Sequence, residues 1–198
     1  MRRVPLAGLG LALLVGLAGC TSNAPAAPAP TGAPTGGSTA TTPPATSAAA
    51  VPSTLTVTSS VFVEGATIPA AYTCAGAGQM PAIAWSGDLH GAAAIAVFVD
   101  DPDAPIGTFV HLVVLDLPAT ATSLGATLPA GAHYGLNGAG RPGWTPPCPP
   151  SGTHHYRFTV YGLSAPTGLG DGTTATAARD AITAKAVVQG RLTGLVSH

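Results

Sequence analysis

Apolar residues in this chain gather into short runs, Leu55–Val57, Ile83–Trp85, Ala94–Asp100, Val110–Leu117, Tyr156–Leu163 and Val187–Val196, with Gly and Pro clusters between them. Runs of that length, rich in β-branched residues and punctuated in that way, predict strands, and their succession predicts an all-β sandwich or barrel. From His155 to Tyr161 the alternation places Tyr156, Phe158 and Val160 on one face and Arg157 and Thr159 on the other. Ala94–Val99 and His111–Leu117 are apolar almost throughout, as strands covered on both faces are. Thr173–Ala186 departs from the pattern: it is Ala-rich, lacks Gly and Pro and carries Arg179, Asp180 and Lys185, which predicts a short helix before the last strand. The patterned region begins near Thr54, so residues 54–198 are read as the folded domain; no internal repeat is visible in it.

The first residues have a different organisation. Arg2 and Arg3 precede an apolar run from Val4 to Ala18, too short for a transmembrane helix of about 20 residues and arranged like a secretory signal. The run closes on Leu17-Ala18-Gly19-Cys20, which resembles a bacterial lipobox. Residues 1–19 then form a lipoprotein signal peptide, and Cys20 becomes the acylated first residue of the mature chain. The plainer alternative is an amino-terminal anchor with an incidental cysteine. Thr21 to Ser53 is almost entirely Ala, Thr, Pro, Ser and Gly, with no charge and no aromatic ring. Such a segment cannot offset its conformational entropy by burial, so residues 20–53 are read as the lipidated cysteine and a disordered tether. The expected location is the cell membrane, lipid-anchored, on its extracytoplasmic face.

Composition narrows the function classes. Only 8% of residues are charged and the formal net charge is -1; without Arg2 and Arg3, five basic groups face eight acidic ones. A chain with so little positive charge lacks the field that nucleic-acid binding depends on. Of three cysteines, Cys20 belongs to the lipobox, which leaves Cys74 and Cys148 as an even pair in an exported protein. A disulfide is the natural reading, two reduced thiols the alternative. Their separation and the lack of partner cysteines exclude a zinc site of the Cys-x-x-Cys type.

With polar residues scarce, their clustering is informative. Asp100, Asp101 and Asp103 end one predicted strand, His111 opens the next, and His154 and His155 open another. Taken singly, Asp101-Pro-Asp-Ala-Pro105 reads as a turn, His111 as a core imidazole and His154-His155 as a solvent-facing pair. Taken together, two imidazoles and a carboxylate at strand mouths form a candidate anion pocket in which the histidines must supply the donors, since a lone carboxylate repels an anion. Metal binding and acid–base chemistry use the same groups. No serine stands in a Gly-x-Ser-x-Gly elbow.

The order Tyr72-Thr-Cys74, Val99-Asp-Asp-Pro-Asp-Ala-Pro105, Gly107-Thr-Phe-Val-His-Leu-Val-Val114, Asn137, Trp144, Pro147-Cys-Pro-Pro-Ser-Gly152 and His154-His-Tyr-Arg-Phe-Thr-Val-Tyr161 resembles the phosphatidylethanolamine-binding protein family, in its bacterial Raf kinase inhibitor-like branch. The resemblance spans about residues 54 to 196. It implies a Greek-key β-sandwich of two antiparallel sheets with a few short helices. It also implies a small pocket for phosphate, phosphorylated headgroups or acetate. By motif position Asp101, His111, His154 and Tyr156 line that pocket, Pro149 and Pro150 wall it, and Asp103 serves the turn and supports the histidines. The family is mostly non-enzymatic and no cofactor or metal is implied. The implied partners are a small anionic ligand and, through the anchor, a membrane. The alternative is an interaction module that inhibits an envelope protease or kinase. Three departures stand out. Pro146 takes the place of a glycine, removing an N–H that could face the anion. Leu112 takes the place of a tryptophan, an exchange expected to repack the space beside the pocket. The sequence ends soon after Val196 without the helix that caps the pocket in eukaryotic members, which implies an open site.

Overall fold

The computed structural model describes residues 50–198 apart from Ala126. The signal peptide, the Cys20 lipobox and most of the tether lie outside the described residues. Two antiparallel sheets make up the fold. The smaller is ordered β1 (Thr56–Ser59), β2 (Ile83–Ser86), β5 (Ser123–Leu124). The larger is ordered β6 (His133–Tyr134), β4 (Phe109–Pro118), β3 (Ala94–Asp101), β7 (Thr153–Leu163), β8 (Ala186–Ser197). A 3-10 turn spans Ala70–Tyr72, and one helix, α1 (Ala175–Lys185), runs directly into β8. Each predicted strand and the predicted helix is present; β5, β6 and the 3-10 turn were not foreseen.

The uninterrupted apolar run of β3 follows from its position. Ile95, Val97 and Val99 face the small sheet, where Val57, Ile83 and Trp85 meet Phe158 and Val160 of β7. Ala94, Ala96 and Phe98 face the other way, under Ala178 and Ile182 of α1. Those two helix residues lie four apart and so share one face. The side chain of Thr174 caps the helix, accepting from the Ala177 N–H.

Two irregularities in β4 decide which way its side chains point. Val99 pairs with Leu112 but Asp100 pairs with Val110, leaving His111 as the extra residue of a bulge. Val110 therefore belongs to the helix-side cluster and Leu112, two residues on, to the inter-sheet core. A second shift falls near Asp116, which has φ 59° and whose carboxylate accepts hydrogen bonds from the Thr167 and Gly168 N–H groups and the Thr167 hydroxyl.

The free edge of β8 is covered from the start of the domain. Ser53 pairs with Gln189 and Thr67 with Leu195. Gly190 allows the first approach: a Cβ there would stand 2.2 Å from the Leu55 carbonyl oxygen. Among the described residues no helix is long and apolar enough to cross a membrane.

Candidate functional site

Three neighbouring strands bring the site together at one end of the large sheet. Asp101 closes β3, His111 lies at the start of β4, and His154 and Tyr156 lie at the start of β7. Antiparallel pairing sets the end of β3 beside the starts of both neighbours, which is how residues far apart in sequence meet. They line a cavity of about 220 Å³, together with Ala104, Pro105, Ile106, Phe109, Thr145, Pro146, Cys148, Pro149 and Pro150. Its polar groups sit at the floor and its mouth is apolar; Ile106 at the rim is fully exposed.

Asp101 and His154 are both buried, and His154 Nδ1 donates to Asp101 Oδ2 at 2.7 Å. The other oxygen of Asp101 accepts from the Asp103 N–H at 2.8 Å, which closes the Asp-Pro-Asp turn. His111 is buried too, and its Nδ1 donates to the Thr145 carbonyl at 2.7 Å. Burial holds the His111 imidazole below the usual histidine range, against the pull of the Thr145 carbonyl and of Asp101 and Asp100. The Tyr156 phenol is pushed up, first by burial and then by the charge of Asp101 and its hydrogen bond, so it stays protonated. Phe109, Trp144 and Tyr156 surround the His111 ring, with centroids at 4.8, 6.0 and 5.1 Å.

Asp103 serves the turn and holds a histidine, as motif position implied, but that histidine is His155. Asp103 does not line the cavity; on the solvent side its Oδ2 accepts from both the backbone N–H and Nδ1 of His155, each at 2.8 Å. The His155 N–H and then the His155 ring lower the Asp103 carboxyl. Alternation along β7 explains it: His154 points in and His155 points out, each with its own carboxylate. Asp100 is also elsewhere. It lies on the helix side of the sheet, where Arg157 Nε and Nη2 donate to its two oxygens at 2.8 Å and Arg179 Nη2 adds a third bond at 2.9 Å. Burial works to raise its pKa, but the two guanidinium groups outweigh it and hold the carboxyl below its ordinary range.

The disulfide between Cys74 and Cys148 is formed, with Cα atoms 5.3 Å apart. Beside it the Cys74 N–H donates to the Pro147 carbonyl at 2.9 Å, so the Pro149–Pro150 wall is tied to the Tyr72–Gly78 loop. Leu112 does not border the cavity as expected; the bulge sends it into the inter-sheet core, 1% exposed. Sequence reading also missed Phe109, Thr145, Pro105 and Ile106 as lining residues, although Pro105 and Phe109 fall inside the quoted motifs. From outside, the His198 N–H bonds to the Gly152 carbonyl, and its ring nitrogen lies 3.1 Å from the Pro149 carbonyl. Among the described residues no group of three or more His, Cys, Asp or Glu is placed to hold a metal ion.

A family profile described as phosphatidylethanolamine-binding protein matches residues 58–197, almost all of the described domain. The chain belongs to that family. Among its relatives is a putative lipoprotein, LppC, of Mycobacterium tuberculosis, 41% identical over 206 residues that cover 98% of this chain and 96% of LppC. A UPF0098 protein of Mycobacterium bovis is 41% identical over 199 residues, covering 97% and 93% of the two chains. Two crystal structures share the fold of this family member. Escherichia coli YbcL, described as a member of the mammalian PEBP family, has a TM-score of 0.70 at 29% identity, covering 74% of this chain and 99% of its own. The Chlamydia trachomatis homologue CT736 has a TM-score of 0.68 at 31% identity, covering 73% and 98%.

Proposed function

We propose that this chain is a membrane-anchored binding protein, not an enzyme, and that its pocket takes a small phosphate- or carboxylate-bearing ligand. The observation that carries the reading is the buried pair of Asp101 and His154, joined at 2.7 Å at the floor of a cavity with an apolar mouth. Asp101 fixes the tautomer and orientation of His154, and Nε2 of that ring makes no hydrogen bond among the described residues. Once protonated, the ring offers an N–H to an anion while Asp101 balances its charge. Pro105, Ile106, Phe109 and Pro146 then suit an apolar part of the ligand. Against catalysis, the lining offers no serine, no lysine and no free thiol, since Cys148 is in the disulfide. The name of the LppC relative and the Leu17-Ala18-Gly19-Cys20 sequence support an anchor at Cys20 and a place on the extracytoplasmic face.

The test is a titration of the full chain, solubilised in detergent, with phosphate, phosphoethanolamine, acetate and zinc, followed by amide chemical shifts. Saturable shifts confined to Asp101, His111, His154, Tyr156 and the Pro149–Pro150 wall are expected with the anions. Shifts with zinc alone, or none with any anion, contradict the reading.

A further inference from the structure

The two pocket histidines each have Nδ1 committed. A carbonyl and a carboxylate can only accept, so the proton of His111 lies on the Nδ1 that faces the Thr145 oxygen, and that of His154 on the Nδ1 that faces Asp101. In the neutral ring the remaining nitrogen, Nε2, is then a bare acceptor. Nε2 of His111 has no hydrogen-bond partner among the described residues, and the ring borders the cavity. The lining contains no lysine or arginine to supply a fixed positive charge. The donors in the lining are then the Tyr156 phenol and the Thr145 hydroxyl, while at His111 itself a ligand meets Nε2 and, nearby, the carboxylate of Asp101, both acceptors.

We infer that His111 is a specificity-determining residue: its fixed tautomer selects an oxyacid group that still carries a proton, of the hydrogen-phosphate type, over a fully deprotonated tetrahedral anion. The inference rests on the anion-binding reading and sharpens it. A ligand O–H donates to His111 Nε2, and His154, once protonated, donates to one of the remaining oxygens. A tetrahedral anion without a proton, which cannot keep all its oxygens clear of the ring, meets a lone pair at His111 and the negative charge of Asp101 at close range. It enters only when His111 itself takes up a proton, which burial opposes. The titratable groups facing His111 are Asp101 from β3 and His154 and Tyr156 from β7, and Asp100 acts on it by charge from the other face of the sheet. The two aspartates pull its protonation up and His154 pulls it down, so protonation of His111 occurs on the acid side of neutrality.

Hydrogen phosphate and sulfate provide the comparison, because at about pH 8 they have the same shape and the same charge and differ by one proton. Calorimetry on the detergent-solubilised full chain should show phosphate binding about tenfold or more tighter than sulfate at that pH, the difference one hydrogen bond to a charged group makes. A second measurement at lower pH should show a smaller gap, since protonation of the ring turns Nε2 into a donor. Imidazole nitrogen shifts should report a protonated Nδ1 and a bare Nε2 for His111 at about pH 8. His111→Gln, whose amide can turn either atom to the ligand, should bring sulfate to within a few-fold of phosphate. Equal affinities for the two anions at both pH values, or a proton on Nε2 of neutral His111, overturn the inference and leave the anion reading standing. Binding of neither anion overturns the inference, and the anion reading falls with it if acetate and phosphoethanolamine also fail to bind. The wild-type comparison and the nitrogen shifts decide the matter even if His111→Gln does not fold.

Discussion

At the scale of single residues, the floor of the pocket depends on where four hydrogen atoms sit: on Nδ1 of His111 and of His154, on the Asp103 amide, and on the Tyr156 phenol. Asp101 sits at the centre of that arrangement, holding His154 with one oxygen and the Asp103 amide with the other. His154→Ala leaves Asp101 as a buried carboxylate with one partner fewer, and it removes the donor that meets the anion. A hydrogen bond to a charged group is worth about 1.5–3 kcal/mol, so phosphate affinity should fall roughly tenfold to a hundredfold. His133, which pairs at 3.4 Å with the exposed Asp171 at the far edge of the sheet, is the control. His133→Ala should change affinity by less than about twofold. Calorimetry on both variants, with circular dichroism to confirm folding, checks the contrast; equal losses would place the pocket elsewhere.

At the scale of elements, two cross-links outside the pocket keep its walls in place. Asp100 joins β3 to β7 through Arg157 and to α1 through Arg179, whose guanidinium also lies 4.3 Å above the Phe98 ring. Because both arginines reach solvent, Asp100→Asn should cost about 1–3 kcal/mol rather than the larger cost of a fully buried pair. The folded-state pKa of Asp100 is lowered from its ordinary 3.8, so its stabilisation is fully present above that value and is lost as pH falls toward the lowered one. Thermal melts at neutral pH should separate wild type from Asp100→Asn, and the separation should shrink on acidification through that window. The second cross-link is the disulfide, which closes a loop between cysteines 74 residues apart. Chain entropy gives it about 4 kcal/mol, and both cysteines are exposed to a reductant. Reduction should lower the melting temperature and, because Cys148 borders the cavity, weaken phosphate binding as well. Two alkylatable thiols in the untreated mature protein would contradict the bond.

How far the fold was legible follows from the same elements. β3 and β4 announced burial on both faces by their unbroken apolar runs, and α1 by its freedom from Gly and Pro; each signal is local. Ser123–Leu124 and His133–Tyr134 were not legible because two residues display no period. The bulge at His111 was hidden for another reason: register is a property of two strands, and nothing in β4 alone says that Asp100 will pair with Val110. That one extra residue settled the place of Leu112. At the site, motif position named Asp101, His111, His154 and Tyr156, which the fold brings around one cavity, and gave Asp103 the turn, but it could not separate His154 from His155 as the partner of Asp103. The separation depends on which of two adjacent histidines points inward.

At the scale of the whole molecule, the folded domain and the first residues answer different questions. Among the described residues the first backbone pairing, from the Gln189 N–H to the Pro52 carbonyl, falls at the end of the Ala/Thr/Pro-rich stretch, and every lining residue lies beyond it. If Leu17-Ala18-Gly19-Cys20 is a lipobox, the link between lipid and pocket is the chain from Thr21 to Ser53, which in polyproline II could reach at most about 100 Å. One acyl chain binds a membrane only marginally, so firm anchoring needs the diacylglycerol thioether at Cys20, with more than one chain. Cys20→Ser should therefore abolish fatty-acid labelling, leave the leader uncleaved and remove the acylated mature form from the detergent phase. Phosphate affinity should be unchanged, because every lining residue among the described residues lies beyond Pro52. Metabolic labelling with a fatty acid, detergent phase partitioning and calorimetry on the same variant check the three outcomes. Unchanged processing and partitioning would remove the anchor from the proposal, while a fall in affinity would show that the first residues contribute to the pocket after all.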